Sequence, residues 1–307
     1  MGATATGKTA LACALAARFP LGLVSVDSTQ VYRGFDIGSA KPDERIRARF
    51  PHWLIDIQDP SGAYSAARFR LDARAAMAEI TAAGRVPLLV GGTGLYFRSL
   101  ERGLSPMPPA DTALRADIMR LAGRLGWPAL HAQLAARDPV SARRIRPRDA
   151  QRIQRALEVI ALTGHALPAQ RSGTGERLPW RVLKLALLPP SREQLRTGIM
   201  ARFDAMLEAG FVEEVRRLAA THPDSATLPA FRAVGYRQAV EYLEGRIGHD
   251  EFRMRSIFAT RQLAKRQLTW LRGELDARMV PAGARDTEST TVRALADFLG
   301  ATSQDRP

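Results

Sequence analysis

The chain has 307 residues, 46% of them hydrophobic, and sets 45 Lys+Arg against 31 Asp+Glu, a formal net charge of +14. That length suits one large domain, or one domain carrying an insert, with a sizeable buried core. With a single cysteine, Cys13, there is no internal disulfide or cysteine-based metal cluster; no apolar run approaches a membrane span, and no signal-peptide pattern is read, so a reducing cytoplasm is the expected location.

Gly2-Ala3-Thr4-Ala5-Thr6-Gly7-Lys8-Thr9 fits G-x-x-x-x-G-K-[ST], a loop that wraps a chain of phosphates. Its glycines let backbone N–H groups turn inward on an anion, Lys8 brings a point charge, and Thr9 offers a hydroxyl to Mg²⁺. Ala10 to Arg18 is rich in strong helix formers, and a helix starting here points its N-terminal dipole at the same phosphates. Cys13 reads as a small core-facing residue of that helix. The motif predicts a diphosphate site without saying whether the diphosphate belongs to a nucleotide.

Leu21 to Val26 reads as a short buried strand ending on Asp27-Ser28-Thr29-Gln30, where an open α/β sheet places its ligands. Asp27 has three candidate roles: a Mg²⁺ ligand, a general base acting on the acceptor, or a structural cap. Val31 to Pro42 is a glycine-punctuated loop, and Phe50 to Ile57 suggests a second strand. His52 within it reads as a packed or capping histidine. Tyr64 to Ala83 has helical spacing, with Phe69, Ala73, Ala76 and Ile80 on one face. Val86 to Val90 is a third buried strand, closed by Gly91-Gly92-Thr93-Gly94-Leu95-Tyr96, a second backbone-donor turn. The alternation of β and α predicts a parallel sheet covered by helices.

Composition shifts at Ser105-Pro106-Met107-Pro108-Pro109, and from there to Pro179 the pattern is helical. Between Arg137 and Arg155 stand seven arginines against Asp138 and Asp149, which predicts a polyanion-facing surface. The net charge alone also fits arginine enrichment in a GC-rich genome, so this clustering carries more weight. Val182 to Leu188 is a further strand, followed by helices over Arg192–Ala209, Val212–Ala220 and Tyr236–Glu244. A long basic helix from about Asp250 to Arg272 carries Arg253, Arg255, Arg261, Lys265, Arg266 and Arg272, with Phe258 and Trp270 interleaved, a pattern suited to a nucleic-acid backbone and its bases. After Arg272 comes a loose segment with one short helix near Val292–Leu299 and a disposable polar tail.

The expected fold is therefore α/β: a P-loop NTPase-like parallel sheet flanked by helices, with a helical insertion subdomain. Residues 1–108 and 180–275 form the core with its C-terminal helices, 109–179 the insert, and 276–307 the tail. In such a fold a hydrophobic strand runs directly into the glycine loop, yet only Met1 precedes Gly2. A strand with about three buried aliphatic side chains would contribute roughly 5–9 kcal/mol. The start is accordingly expected to be truncated, the missing strand of about five or six residues placing the native beginning roughly ten residues earlier.

The ordered motifs resemble the bacterial tRNA dimethylallyltransferase family, also called isopentenyl-pyrophosphate transferase, over nearly the whole chain. That family shows G-P-T-A-x-G-K-T, S-V-D-S-x-Q-x-Y with D-I-G-T-A-K-P, G-G-T-x-L-Y, D-x-x-R-x-x-R-A-L-E, V-G-Y-R-Q and T-R-x-x-A-K-R-Q-x-T-W-x-R. These stand here at Gly2–Thr9, Ser25–Tyr32 with Asp36–Pro42, Gly91–Tyr96, Asp149–Glu158, Val234–Gln238 and Thr260–Arg272, with Ala3 for the usual proline and Ser39 for threonine. The resemblance implies transfer of a dimethylallyl group from its diphosphate to N6 of the adenosine 3′ of a tRNA anticodon. It implies that Lys8, Thr9 and Mg²⁺ stabilise the leaving pyrophosphate, that Arg232 contacts it too, that Asp27 is the base, and that Thr93 contacts the acceptor. It further implies tRNA contacts from Asp27-Ser28-Thr29-Gln30, Arg115, Gln151-Arg152-Ile153-Gln154-Arg155, Arg232-Ala233-Val234-Gly235-Tyr236-Arg237 and Lys265-Arg266-Gln267-Leu268-Thr269-Trp270-Leu271-Arg272. Partners are then dimethylallyl diphosphate and the anticodon stem-loop of tRNA, with no membrane and a monomeric chain. Two other readings stay open: a P-loop small-molecule kinase, and a non-catalytic RNA-binding protein with a relic loop.

Overall fold

The computed structural model of the chain describes residues 1–105, 107–167, 178 and 180–304, the last four as backbone. Pro106 and Pro179, the proline junctions, and the last three residues of the tail lie outside the described residues. The chain divides into two compact units, Met1–Leu100 with Pro179–Pro307, and Glu101–Leu178.

The first unit is an α/β layer structure. Helix α1 (Lys8–Ala16) leads into strand β1 (Leu21–Val26), all six residues of which are buried. After the short helix α2 (Glu44–Arg49) comes β2, which spans only His52–Trp53. The longer strand expected over Phe50–Ile57 is cut short because Leu54 and Asp56 take φ of 65° and 57°, turning the chain out of extended geometry. Helix α3 (Ala66–Ala82) buries Phe69, Ala73, Ala76, Met77 and Ile80, and β3 (Val86–Gly91) pairs in parallel with β1 from Leu21↔Val86 to Val26↔Gly91. The strand order is β2-β1-β3, so β1 is central. Helix α4 (Gly94–Arg102) follows β3 in the chain.

The second unit holds α5 (Thr112–Leu125), α6 (Trp127–Arg137), α7 (Pro139–Arg144) and α8 (Ala150–Thr163). Asp111, Asp138 and Asp149 cap α5, α7 and α8 by accepting from backbone N–H groups, which satisfies donors a helix start leaves free. Leu130, Leu134, Ile153 and Ala156 form its core at 0% exposure. Glu158 is equally buried and accepts from Arg115 Nε (2.8 Å) and Nη2 (3.0 Å), Arg155 Nη1 (2.7 Å) and the Asp111 N–H (2.9 Å). Burial works against its ionisation, but these hydrogen bonds outweigh it and hold the carboxyl below its usual range.

Back in the first unit, β4 (Leu185–Leu188) is followed by α9 (Arg192–Glu208), α10 (Phe211–Thr221), α11 (Tyr236–Leu243) and α12 (His249–Leu271). Their core is aromatic: Phe35, Phe203, Phe211, Phe231, Tyr236 and Phe252 are all buried. Each contributes on the order of 1.5–3 kcal/mol of burial, and the edge-on Phe211–Tyr236 pair (5.1 Å, 88°) adds to that. The Glu214 carboxylate, 3% exposed, accepts from the N–H groups of Asp36, Ile37 and Gly38 and from the Tyr236 hydroxyl (2.7 Å), so α10 fixes the loop after β1.

The segment after Arg272 is not loose. It forms β5 (Arg278–Pro281), parallel to β4, and α13 (Thr287–Gln304), an 18-residue helix where a short one is expected. Leu295 of α13 packs with Leu15 of α1 and Leu21 of β1, so the helix expected near Val292–Leu299 belongs to the core. Met1 and Gly2 run between β3 and β4: the Met1 α-ammonium donates to Leu185 O (2.7 Å), Leu187 N–H donates to Met1 O (2.9 Å), and Gly2 N–H donates to Gly91 O (3.3 Å). Gly2 and Leu187 form a parallel bridge, so these two residues carry the hydrogen bonding from one strand set to the other.

Candidate active site

Residues 2–9 follow that bridge and turn directly into α1. Gly7, at φ 75°, is the left-handed N-cap of the helix, a conformation glycine takes without steric cost. Ala5 is also left-handed at φ 61°. The Ala3 carbonyl receives Thr6 Oγ1 (2.8 Å) and Lys8 Nζ (2.6 Å), folding the lysine back across the loop. Burial pushes the Lys8 ammonium down to about 8; Asp27 opposes that shift and Arg202 adds to it.

A cavity of about 470 Å³ opens over this loop. Thr4 through Thr9, Asp27, Thr29 and Gln30 line it, with Gly38, Ser39 and Ala40 from the next loop and Gly91 and Gly92 from the end of β3. Asp27 Oδ1 accepts from the N–H groups of Thr29 (2.8 Å) and Gln30 (3.3 Å), which orients the carboxylate. Among the described residues its other oxygen has no hydrogen-bond donor. Gln30 spans the gap to the next loop, accepting from Ser25 Oγ (2.9 Å) and donating to Ser39 O (3.3 Å) and Ala40 O (3.2 Å). Ile199, Phe203, Met206, Phe211, Val234 and Leu263 give the same cavity an apolar lining. It therefore holds an anion-binding loop, a carboxylate and a hydrocarbon surface together.

Arg202 of α9, absent from the sequence-based expectations, also lines this cavity and donates from Nη2 to Thr4 Oγ1 at 2.6 Å. Burial lowers its proton affinity and the Asp27 carboxylate raises it. Arg232, expected on the diphosphate, instead lines a second cavity of about 630 Å³ with Arg237, Arg255, Phe258 and Arg266, and its guanidinium donates to Thr227 O (3.2 Å). Arg232 ends the short 3-10 turn Ala230–Arg232, and Arg202 is the arginine among the described residues that lines the cavity over the 2–9 loop.

Other expected residues separate by burial. Gly2 and Ala3 are buried behind the loop and do not line the cavity. Thr93 donates its N–H to Val26 O (3.3 Å), one residue short of Asp27, and neither it nor the exposed Ser28 lines the cavity. Ile153, Tyr236 and Leu271 are at most 1% exposed and are core residues, which removes them as RNA contacts. Ala233 and Leu268 pack against the aromatic core, and Val234 and buried Gly235 line the main cavity. Trp270 stacks on Phe97 (5.6 Å, 13°), and Gln267 turns inward to Thr4. Lys265, Arg266 and Thr269 are exposed on α12 and Arg272 at its C-cap, as are Gln151 and Arg152 on α8 and Arg237 on α11. Arg115 and Arg155 are half-buried against Glu158, and Gln154 donates to Arg115 O (3.4 Å). On α12, Arg253 is bound by both oxygens of Asp204 and Arg255 by Glu241 and Glu251, which leaves the basic face narrower than its arginines suggest.

These features define a P-loop protein that sets a diphosphate loop against a carboxylate and an apolar surface. The profile of the family described as IPP transferase matches residues 30–274. The chain is 56% identical over 301 residues to the tRNA dimethylallyltransferase of Thiobacillus denitrificans, covering 98% of this chain and 96% of that one. It is 59% identical over 273 residues to that of Thioalkalivibrio sulfidiphilus, covering 89% and 85%. Among solved structures, the full-length tRNA isopentenylpyrophosphate transferase of Bacillus halodurans superposes with a TM-score of 0.69 at 33% identity, covering 98% and 94%. A eukaryotic dimethylallyltransferase captured acting on tRNA gives 0.76 at 26% identity, covering 100% and 79%. The chain belongs to the IPP transferase family and is an enzyme of the prenyl-transferring class.

Proposed function

We propose that the chain transfers a dimethylallyl group from dimethylallyl diphosphate to N6 of the adenosine 3′-adjacent to the anticodon in tRNA, giving N6-isopentenyladenosine and pyrophosphate. The observation that carries this reading is the single cavity in which Lys8, Arg202 and the 4–9 loop stand opposite the Asp27 carboxylate, beside an apolar lining. A kinase needs the phosphate loop and the carboxylate, but it has no use for the apolar wall of Ile199, Phe203, Met206 and Leu263.

The bond that breaks joins the allylic C1 to the bridging oxygen of the diphosphate, and the electron pair leaves with pyrophosphate. Backbone N–H groups of the loop, Lys8 and Arg202 are fixed donors aimed at that growing charge, and preorganised donors favour the transition state over the ground state. Phe203, Met206 and Leu263 hold the five-carbon chain and keep water from the allylic carbon. The adenine N6 lone pair forms the new C–N bond, and its proton passes to the undonated oxygen of Asp27. The amine is a weak nucleophile because its lone pair is delocalised into the purine, so removal of the proton as the bond forms lowers the barrier. An adenine stacked in a loop reaches such a cavity only when extruded.

Mg²⁺ fits the residues present: the Thr9 hydroxyl, half-buried on the cavity wall and without a partner among the described residues, is a hard oxygen donor beside the diphosphate position. Bound there, the ion would add positive charge against the leaving group. Exposed Lys265, Arg266 and Arg272, and Arg152 with Gln151, are the side chains we assign to the anticodon stem-loop. All these groups come from one chain, so a monomer suffices. No helix among the described residues is long and apolar enough to cross a membrane, and the tRNA acceptor would place the reaction in the cytoplasm.

Incubation with labelled dimethylallyl diphosphate and unmodified tRNA, followed by nucleoside analysis, tests this. Label in N6-isopentenyladenosine with no ATP consumed is the expected result; ATP turnover without nucleoside label would overturn it.

A further inference from the structure

Gln267 follows two exposed basic residues, Lys265 and Arg266, yet its own side chain faces the molecule. Its Oε1 accepts from the Thr4 N–H at 2.8 Å, and its Nε2 donates to Gly92 O at 3.1 Å. One partner is a donor and the other an acceptor, which fixes the orientation of the amide. The three residues belong to α12, the 2–9 loop and the turn after β3, so one side chain ties together three walls of the main cavity. The approach is close: a Cβ on Gly92 would stand 2.3 Å from Nε2 and 2.9 Å from Gly2 O, so only glycine leaves room for this contact.

The loop needs such a tie at this point. Ala5, directly after Thr4, is left-handed at φ 61°, a conformation that persists for an alanine only where its surroundings hold it. Thr4 is held from two sides, by Gln267 on its N–H and by Arg202 on its hydroxyl. We propose that Gln267 is a positioning residue for the diphosphate: it fixes Thr4, and through Thr4 the turn at Ala5 and the direction of the amides that follow. Both polar atoms of its side-chain amide are engaged inside the molecule, and RNA is not its partner. The inference rests on the diphosphate site proposed above, so its test reads binding of inorganic pyrophosphate rather than transfer.

Gln267→Met keeps the length of the side chain and removes both hydrogen bonds. Gln267→Glu keeps the acceptor for Thr4 and sets a carboxylate against the Gly92 carbonyl. Each is titrated calorimetrically with magnesium pyrophosphate and, separately, with tRNA. Loss of one to two hydrogen bonds raises the pyrophosphate Kd about tenfold, while the tRNA Kd stays within twofold. The KM for dimethylallyl diphosphate rises with it, by more than kcat falls. A pyrophosphate Kd within threefold of wild type in both variants overturns the proposal, as does a tRNA Kd that rises as far as the pyrophosphate Kd. If either variant fails to fold, Gly92→Ala, which drives the amide off its carbonyl, decides by the same thresholds. A wild-type protein that does not bind pyrophosphate would instead overturn the diphosphate site itself.

Discussion

The Arg202 guanidinium donates to the Thr4 hydroxyl at 2.6 Å, joining the middle of α9 to a loop 198 positions earlier in the chain. This contact puts a second cation, besides Lys8, on the cavity that the glycine loop walls.

Arg202→Ala should therefore raise the KM for dimethylallyl diphosphate and lower kcat, with a combined loss of about 10²–10³ in kcat/KM, the scale of one preorganised donor to a developing anion. Arg232→Ala should leave that KM within about twofold and weaken tRNA binding instead, in proportion to one lost phosphate contact. Steady-state kinetics with each substrate varied in turn distinguish the two arginines. Equal effects on the diphosphate KM would return Arg232 to the site.

Asp27→Asn keeps the acceptor for the Thr29 and Gln30 N–H groups but cannot take a proton. Single-turnover transfer should fall by about 10²–10⁴ while tRNA affinity stays near wild type. A rate within threefold of wild type would remove Asp27 as the base.

Lys8 supplies a pH dependence. Burial lowers its proton affinity in the free protein to about 8 from 10.5, so its charge is lost as pH rises through about 8. Pyrophosphate affinity should decline through that range, and Lys8→Met should bind weakly with a flat profile. Folding stability moves the other way. The folded state disfavours the ammonium, the unfolded chain binds more protons between about pH 8 and 10.5, and the penalty from Lys8 is relieved as pH climbs through that window. Titrations from pH 6.5 upward, beside denaturant melts of wild type and Lys8→Met, measure both signs.

Glu158 and Arg152 divide structure from grip in the helical unit. Glu158→Ala removes the shared acceptor of Arg115, Arg155 and the Asp111 N–H; because both arginines keep contact with solvent, the cost should fall below the roughly 3–5 kcal/mol of a fully buried pair. Because hydrogen bonds hold its carboxyl low, the stability it contributes is present at neutral pH and is lost as pH falls through its folded value. Arg152→Ala should barely affect melting but should reduce the log–log salt slope of tRNA binding by about 0.7–0.9. An unchanged slope would mean that Arg152 faces solvent in the complex.

Much of this arrangement is visible in the sequence because the relevant signals are local. Leu21–Val26 is an apolar run interrupted only by Ser25 and bounded by Pro20 and Asp27, and it forms β1 with those bounds. Phe69, Ala73, Ala76 and Ile80 fall on one helical face, and all four are buried in α3. The elements that escaped are those whose cause is distant. Arg278-Met279-Val280-Pro281 buries only Val280 and becomes a strand because β4 is there to pair with it. Arg202 sits within Ala201-Arg202-Phe203-Asp204, an ordinary helical stretch, and only tertiary packing brings its guanidinium to Thr4. Gln267 stands in a basic run that suits RNA, and nothing local shows that its amide turns inward while its neighbours turn out.

The closing of the sheet layer by α13 has a consequence for biosynthesis. Leu15 and Leu21 leave the ribosome long before Leu295, the side chain that packs over them. Until then the nascent α1–β1 pair holds an uncovered apolar face that no local folding step can hide. Contacts of such high sequence separation form slowly and leave sticky intermediates waiting. Production of this chain should thus depend on holding chaperones through most of translation, and losing α13 should show first as aggregation during synthesis.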